Sequence, residues 1–191
     1  MTSSRRINIV VDNKYNFISI FEPDSGFYYR TPVIKKNMIP GVVKTIKVLG
    51  FPQCVKFLTA HTKVFGENQS PFMGSMPALL DIGVMGRCNN PNRCKICYQA
   101  SSMTGSNMHL RDYKSIIDQI KGTAVNQVAL GGAGNPTDHN SFEEICRYTA
   151  EAGIVPNYTV SGHGFTKRHA KISADYCGVS AVSAYSMLNR L

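Results

Sequence analysis

Three cysteines within ten positions constrain this chain more than any other feature. Cys88, Cys94 and Cys97 form a C-x5-C-x2-C pattern. Three thiolates on one loop bind three irons of a cubane [4Fe–4S] cluster and leave the fourth iron open to an outside ligand. No further donor stands beside them in the sequence. The spacing therefore favours an iron–sulfur cluster over a closed metal site.

Zinc is the alternative metal for these thiolates. Structural zinc sites use four Cys or His ligands, commonly as two separated pairs, and here one C-x2-C pair is present. Cys146 and Cys177 fall in helix-like segments, which favours packing in the core. The histidines remain candidates for a fourth ligand: His61, His109, His139, His163 and His169. On this alternative the chain is a zinc-stabilised module that binds nucleic acid without catalysis.

Composition and charge narrow the class of protein. The chain is 43% hydrophobic and 17% charged, which is typical of a globular protein. It contains neither an apolar run long enough to span a membrane nor a signal-peptide core, so we expect a cytoplasmic protein with reduced cysteines. The net charge of +9 concentrates in residues 1–66, with ten Lys and Arg against three Asp and Glu. This segment suits nucleic acid, a nucleotide or an acidic peptide, or it is a solubilising surface.

The first third of the chain shows strand-like alternation. Residues 7–11, 15–21 and 27–31 are separated by turn-forming residues and predict a small β-meander in a basic unit over residues 1–66. Residues 42–49 and 54–59 are apolar but leave strand and helix open. A stretch rich in Gly, Pro, Ser and Asn predicts a linker over residues 67–77.

From residue 78 onward the pattern repeats strand, loop and helix. The predicted strands cover residues 79–85, 127–130, 154–160 and 179–184, and the predicted helices begin at Arg111, at a capping box over residues 141–144 and at Thr166. Parallel strands require such crossover connections. We therefore predict an α/β fold in which residues 78–191 form a partial (β/α) barrel of about four parallel strands, with the loops after each strand lining the active face.

Small residues follow the later strands. Gly131, Gly132 and Gly134 come after the strand that we expect to break at Gly131–Gly132, and glycine allows a ligand to approach the backbone closely. The alternative is that the glycines simply end the strand. Ser161 and Ser183 stand at the next two strand ends, where they bind a ligand or bond to local backbone.

Several ordered segments carry a family resemblance. The cysteine pattern, the turn Gly131-Gly132-Ala133-Gly134-Asn135-Pro136, the segment Tyr158-Thr-Val-Ser-Gly162 and the segment Val179-Ser-Ala-Val-Ser183 resemble, in that order, the radical S-adenosylmethionine (SAM) superfamily. The resemblance covers residues 78–191. This chain departs from it in a five-residue first gap, where three residues are usual, and in Ala133, where an acidic residue is usual.

The resemblance implies a cofactor set and a chemistry. It implies a [4Fe–4S] cluster on Cys88, Cys94 and Cys97, with SAM on the open iron. The reduced cluster then cleaves SAM to a 5′-deoxyadenosyl radical that abstracts hydrogen from a substrate, and a flavodoxin- or ferredoxin-type protein supplies the electron. The implied SAM contacts are Tyr98, Gly131, Gly132, Gly134, Asn135, Ser161 and Ser183. The resemblance assigns no general base.

The family barrel has six strands, and this sequence ends shortly after the fourth. We therefore expect a fragment of a longer protein, a chain whose barrel is completed by a partner, or a reduced variant.

Overall fold

The computed structural model describes residues 7–12, 14, 17–23, 27–32, 40, 44, 76–89, 97 and 103–183. The chain divides into two compact units, Met1–Pro77 and Ala78–Leu191. Most of the linker predicted at residues 67–77 lies outside the described residues, as do residues 54–59 and all of 42–49 except Lys44.

The first unit contains an antiparallel three-stranded sheet in the order β1-β2-β3. Its strands are β1 (Asn8–Asp12), β2 (Phe17–Glu22) and β3 (Phe27–Pro32). The central strand β2 is buried, with Ile18, Ile20 and Phe21 at most 1% exposed. The predicted β-meander is confirmed.

The second unit is built on a parallel sheet in the order β4-β5-β6-β7. The elements in chain order are β4 (Leu79–Met85), α1 (Leu110–Ile120), β5 (Gln127–Gly132), a 3-10 turn (Pro136–Asp138), α2 (Phe142–Glu151), β6 (Val155–Val160), α3 (Lys167–Tyr176) and β7 (Val179–Val182). The predicted α/β fold with four parallel strands is confirmed.

The two faces of this sheet differ. Side chains alternate along each strand, and one set is buried: Ile82, Val84, Val128, Leu130, Tyr158 and Val160. The other set is partly or fully exposed apart from Met85, and many of its members are small or polar: Asp81, Gly83, Gln127, Asn157 and Thr159. A parallel strand covered on both faces would be apolar throughout. Because successive right-handed crossovers place α1, α2 and α3 on the same side of the sheet, the buried set faces these helices.

The helices bury the faces that their sequence periodicity predicts. In α1 the buried residues are Tyr113, Ile117 and Ile120. In α2 the buried residues are Phe142, Ile145, Cys146 and Thr149, which recur at helical spacing. Phe142 meets the ring of Tyr158 edge-on, with the ring centroids 5.2 Å apart.

The strand break expected at Gly131–Gly132 is wrong. Gly131 pairs with Gly83 and Gly132 pairs with Met85, so that β5 continues through both glycines. The ladder of hydrogen bonds uses backbone atoms alone, and a glycine without a side chain can therefore extend it.

The capping box expected at Ser141 is also wrong. The Ser141 side chain makes no cap hydrogen bond, and the Glu144 carboxylate instead pairs with Lys114 at 2.7 Å and Arg147 at 2.6 Å. A reciprocal box forms at α3, where the Thr166 hydroxyl accepts from the His169 N–H and the His169 ring accepts from the Thr166 N–H.

A buried hydroxyl pair connects α1 to α2 and tests this packing. Tyr113 and Thr149 bond through their hydroxyls at 2.5 Å, and burial raises the pKa of Tyr113 above its ordinary value. We expect Tyr113→Phe to lower the free energy of unfolding by about 1 kcal/mol in chemical denaturation. The control Tyr148→Phe loses an exposed hydrogen bond to Asp118 and should change it by less than about 0.5 kcal/mol. Equal losses would contradict the assigned packing.

Candidate functional site

The parallel topology brings Cys88, Ser161 and Ser183, three of the predicted site residues, to one edge of the sheet. Cys88 follows Met85 by three residues, and Ser161 and Ser183 directly follow β6 and β7. Carboxyl ends of parallel strands lie together at the same edge. Cys88 is partly buried and Cys97 is exposed, while Cys94 and Tyr98 lie outside the described residues.

We define the cysteine loop as residues 86–107. The connection between β5 and α2 packs against the start of this loop. A Cβ atom on Gly134 would lie 2.5 Å from the carbonyl oxygen of Arg87 and 3.1 Å from the Cα of Cys88. The Ala133 N–H donates to the carbonyl of Met85 at 2.7 Å. Glycine is therefore required at 134 because the two backbones are in contact.

Gly132 makes a second close approach of the same kind. Its φ of +116° lies in the region that favours glycine, and a Cβ there would collide with the backbone of Met85. Gly132 and Gly134 thus hold the β5 to α2 connection against the segment that carries Cys88.

The two ends of the cysteine loop are joined to each other, a feature that the sequence reasoning missed. The Gly86 N–H donates to the side-chain oxygen of Asn107 at 3.1 Å, and the Met108 N–H donates to the carbonyl of Val84 at 3.0 Å. A Cβ on Gly86 would overlap the Ser106 carbonyl. The signal in the sequence is a glycine near each end of the loop, Gly86 and Gly105, the latter with a φ of +130°.

Asn135 links two strand ends. Its side-chain oxygen accepts a hydrogen bond from the Ser161 N–H at 2.9 Å, and its backbone carbonyl accepts one from the Asp138 N–H at 3.0 Å. Asn135 and Ser161, both predicted as SAM contacts, are therefore in contact with each other at this edge.

Asp138 is an acidic residue that sequence reasoning overlooked, because the resemblance expects a carboxylate where Ala133 stands. It ends the 3-10 turn, and its Oδ1 lies 3.9 Å from where a Cβ on Gly164 would be. Loss of hydration raises the pKa of the Asp138 carboxyl, and His169 and the Asn135 hydrogen bond partly offset this effect. The Pro-Thr-Asp turn at 136–138 is the signal that could have identified it.

The remaining predicted residues differ in exposure. Ser161 and His163 are partly buried, and Ser183 is exposed. The Ser183 N–H donates to the carbonyl of Val160 at 2.7 Å, which extends the pairing of β6 with β7 past the end of the strand.

The other described cysteines lie away from the cysteine loop. Cys177 follows the end of α3 and precedes β7, which places it near the amino edge of the sheet. Cys146 is fully buried in α2, and its hydrogen bond with Cys177 and its burial raise the pKa of its thiol. Within the described residues no three His, Cys, Asp or Glu side chains group closely enough to hold a metal ion.

A groove of about 680 Å³ lies on the helical face, apart from the predicted site. Its lining is Arg111, Lys114, Ser115, Asp118, Gln119 and Tyr148. The Lys114 ammonium pairs with Glu144 and lies 4.7 Å from the centroid of the Tyr148 ring, whose hydroxyl donates to Asp118. Lys114, Asp118 and Tyr148 are therefore engaged in pairings within the protein.

Comparison with known proteins identifies the fold. No family model and no curated protein matches the sequence. Among solved structures, Streptococcus suis SuiB bound to precursor peptide SuiA matches with a TM-score of 0.60 at 14% identity, and SuiB bound to S-adenosylmethionine with 0.57 at 13%. The chain has the fold of radical SAM enzymes. BtrN in complex with AdoMet and 2-DOIA matches with a TM-score of 0.50 at 16% identity.

The extent of these matches differs between the two enzymes. Both SuiB matches cover 92% of this chain, and the BtrN match covers 58%. The second unit holds 114 of the 191 residues, or about 60%, so the fold shared with SuiB extends into the first unit. The chain spans 46% of the length of each of these structures.

In the described part of the chain, no helix has both the length and the apolar content to span a membrane.

The contact between Gly134 and the cysteine loop can be tested by adding one methyl group. We expect Gly134→Ala to lower the free energy of unfolding by about 1 to 3 kcal/mol, because the Cβ forces two backbones apart. Gly83→Ala is the control, since its Cβ would meet Gly132 at an ordinary 3.8 Å. Equal stabilities of the two variants in urea denaturation would contradict the close approach.

The partly buried carboxyl of Asp138 predicts a pH dependence. Because its pKa is raised in the folded state, its protonated form favours folding at low pH, and that contribution is lost as the pH rises through the folded pKa. We therefore expect Asp138→Asn to raise the melting temperature at pH 7. This gain should vanish below pH 3.8, the ordinary pKa of an aspartate carboxyl. Asp112→Asn removes a charge from an exposed position and should give no gain. A gain independent of pH would refute the assignment.

Proposed function

We propose that this chain is a radical SAM protein that binds a [4Fe–4S] cluster through Cys88, Cys94 and Cys97. The observation that carries the proposal is the contact of Gly134 with the backbone of Arg87 and Cys88 at the carboxyl edge of a parallel sheet. Cys88 therefore lies at the edge where ligands of parallel α/β proteins bind.

The chemistry of the available donors fits a cluster with one open iron. Three thiolates suit three irons of a cubane cluster. Cys177 lies near the opposite edge of the sheet, and Cys146 is buried in α2. The ring nitrogens of His139 are engaged with Met108 and Ser141. None of these residues is therefore suited to complete the four-ligand shell that structural zinc requires.

SAM is the proposed ligand of the open iron. We assign its contacts to Gly131, Gly132, Gly134, Asn135, Ser161, Ser183 and Tyr98. Asn135 holds Ser161 by a hydrogen bond, which fixes two of these contacts relative to each other. The Asp138 carboxylate adds an anionic group suited to the ammonium of SAM.

When bound, cluster and SAM supply a radical that abstracts a hydrogen atom from a substrate. The protein's own part is to hold the thiolates, orient SAM and exclude water. We propose a flavodoxin- or ferredoxin-type electron donor. Because the chain spans less than half of its structural neighbours, we also propose that a further segment or a partner completes the barrel.

An acidic peptide is the proposed substrate class. The SuiB matches include most of the first unit, and one of these structures contains a precursor peptide. Residues 1–66 of this chain carry ten Lys and Arg against three Asp and Glu, a charge that attracts an anionic partner. Nucleic acid and nucleotides are the alternatives that a binding competition distinguishes.

Metal analysis after anaerobic purification tests the cluster. We expect about four irons and four sulfides per chain, and we expect Cys94→Ala to lose most of them. Cys177→Ala is the control, because this thiol lies near the other edge of the sheet, and it should keep the full content. Stoichiometric zinc without a visible chromophore would instead favour the nucleic-acid-binding module. If the cluster is present, release of 5′-deoxyadenosine from SAM with a strong reductant would establish turnover.

A further inference from the structure

His139 is a buried histidine between the end of the cysteine loop and the start of α2. It is 8% exposed. Its Nδ1 accepts a hydrogen bond from the Ser141 N–H at 3.0 Å, and its Nε2 lies 2.9 Å from the carbonyl oxygen of Met108. Because Nδ1 is an acceptor, the neutral ring carries its hydrogen on Nε2 and donates it to Met108.

Met108 lies where the cysteine loop returns to the sheet. Its N–H donates to Val84 of β4 at 3.0 Å, and its carbonyl accepts from His139. Both backbone polar groups of this residue are thus fixed, one to the sheet and one to the β5 to α2 connection.

The same connection holds the opening end of the loop. Ala133 bonds to Met85, and Gly134 contacts the backbone of Arg87 and Cys88. His139 is itself anchored, because its N–H donates to Pro136 and its carbonyl accepts from Phe142, the first residue of α2. A short, hydrogen-bonded connection therefore fixes both ends of the loop that carries the cysteines.

We propose that His139 is a positioning residue that fixes the closing end of the cysteine loop through Met108 and so slows loss of the cluster. The part concerning the cluster rests on the proposed function. The part concerning the loop rests only on the hydrogen bonds and can be measured without metal.

Two conservative variants separate the two hydrogen bonds of the ring. In His139→Gln the side-chain amide nitrogen takes the place of Nε2 and can still donate to Met108. In His139→Asn the amide oxygen takes the place of Nδ1 and keeps the bond from Ser141, but no donor reaches Met108. His109→Asn is the matched control, since this exposed histidine follows Met108 directly and makes no side-chain cap hydrogen bond.

Hydrogen exchange of the metal-free protein is the first measurement. We expect His139→Asn to speed exchange of the Met108 and Gly86 amides about tenfold, as the loss of one buried hydrogen bond predicts. The exchange rates of the α2 amides should stay unchanged, which would show that the fold is intact. His139→Gln and His109→Asn should match the original protein at the Met108 and Gly86 amides. Unchanged exchange at Met108 in His139→Asn would overturn the proposal.

Cluster retention is the second measurement. After anaerobic reconstitution, an iron chelator should bleach the chromophore of His139→Asn several-fold faster than that of His139→Gln or His109→Asn. Faster exchange with equal bleaching would overturn the role in cluster retention. If the unaltered protein assembles no cluster, the proposed function fails, and the exchange experiment alone decides whether His139 fixes the loop.

Discussion

The parallel pairing of β4, β5, β6 and β7 is the constraint on which the rest of the second unit depends. Parallel neighbours require each connection to cross the sheet and return, so all strand ends of one kind meet at one edge. Residues that are far apart in sequence, such as Cys88, Gly134 and Ser161, are brought to one edge for this reason. The helices cover one face, and most of the described side chains on the other face are partly or fully exposed.

Backbone contact, rather than side-chain packing, organises that edge. Gly134 lets the β5 to α2 connection touch the cysteine loop, while Gly132 and the Ala133 N–H contact the backbone of Met85 at the end of β4. The Met108 N–H bonds the closing end of the loop to Val84 of β4. This arrangement explains why alanine is tolerated at position 133. Its N–H bonds to Met85, a role that any residue other than proline can fill. The glycines therefore hold the cysteine loop in place at the edge where we propose that SAM binds.

Much of the fold could be predicted because burial sets the sequence period. The buried faces of α1 and α2 follow the helical repeat, and β4 has its predicted limits. Predictions were wrong or incomplete where a local sequence pattern competes with a contact to a residue that is distant in the sequence. Glu144 pairs with Lys114, thirty residues away, instead of capping α2. The bond between His139 and Met108 spans thirty-one residues and leaves no periodic trace. Asp138 went unnoticed because its setting comes from separate loops.

Because the two ends of the cysteine loop are held together, the length of the loop can change without a change in the sheet. Gly86 and Met108 are held to Asn107 and Val84, so additional residues between them need not alter the strand register. Closing a longer loop costs little, about 0.6 kcal/mol for each doubling of length. The five-residue gap between Cys88 and Cys94 is therefore a change in loop length that need not disturb β4 or α1.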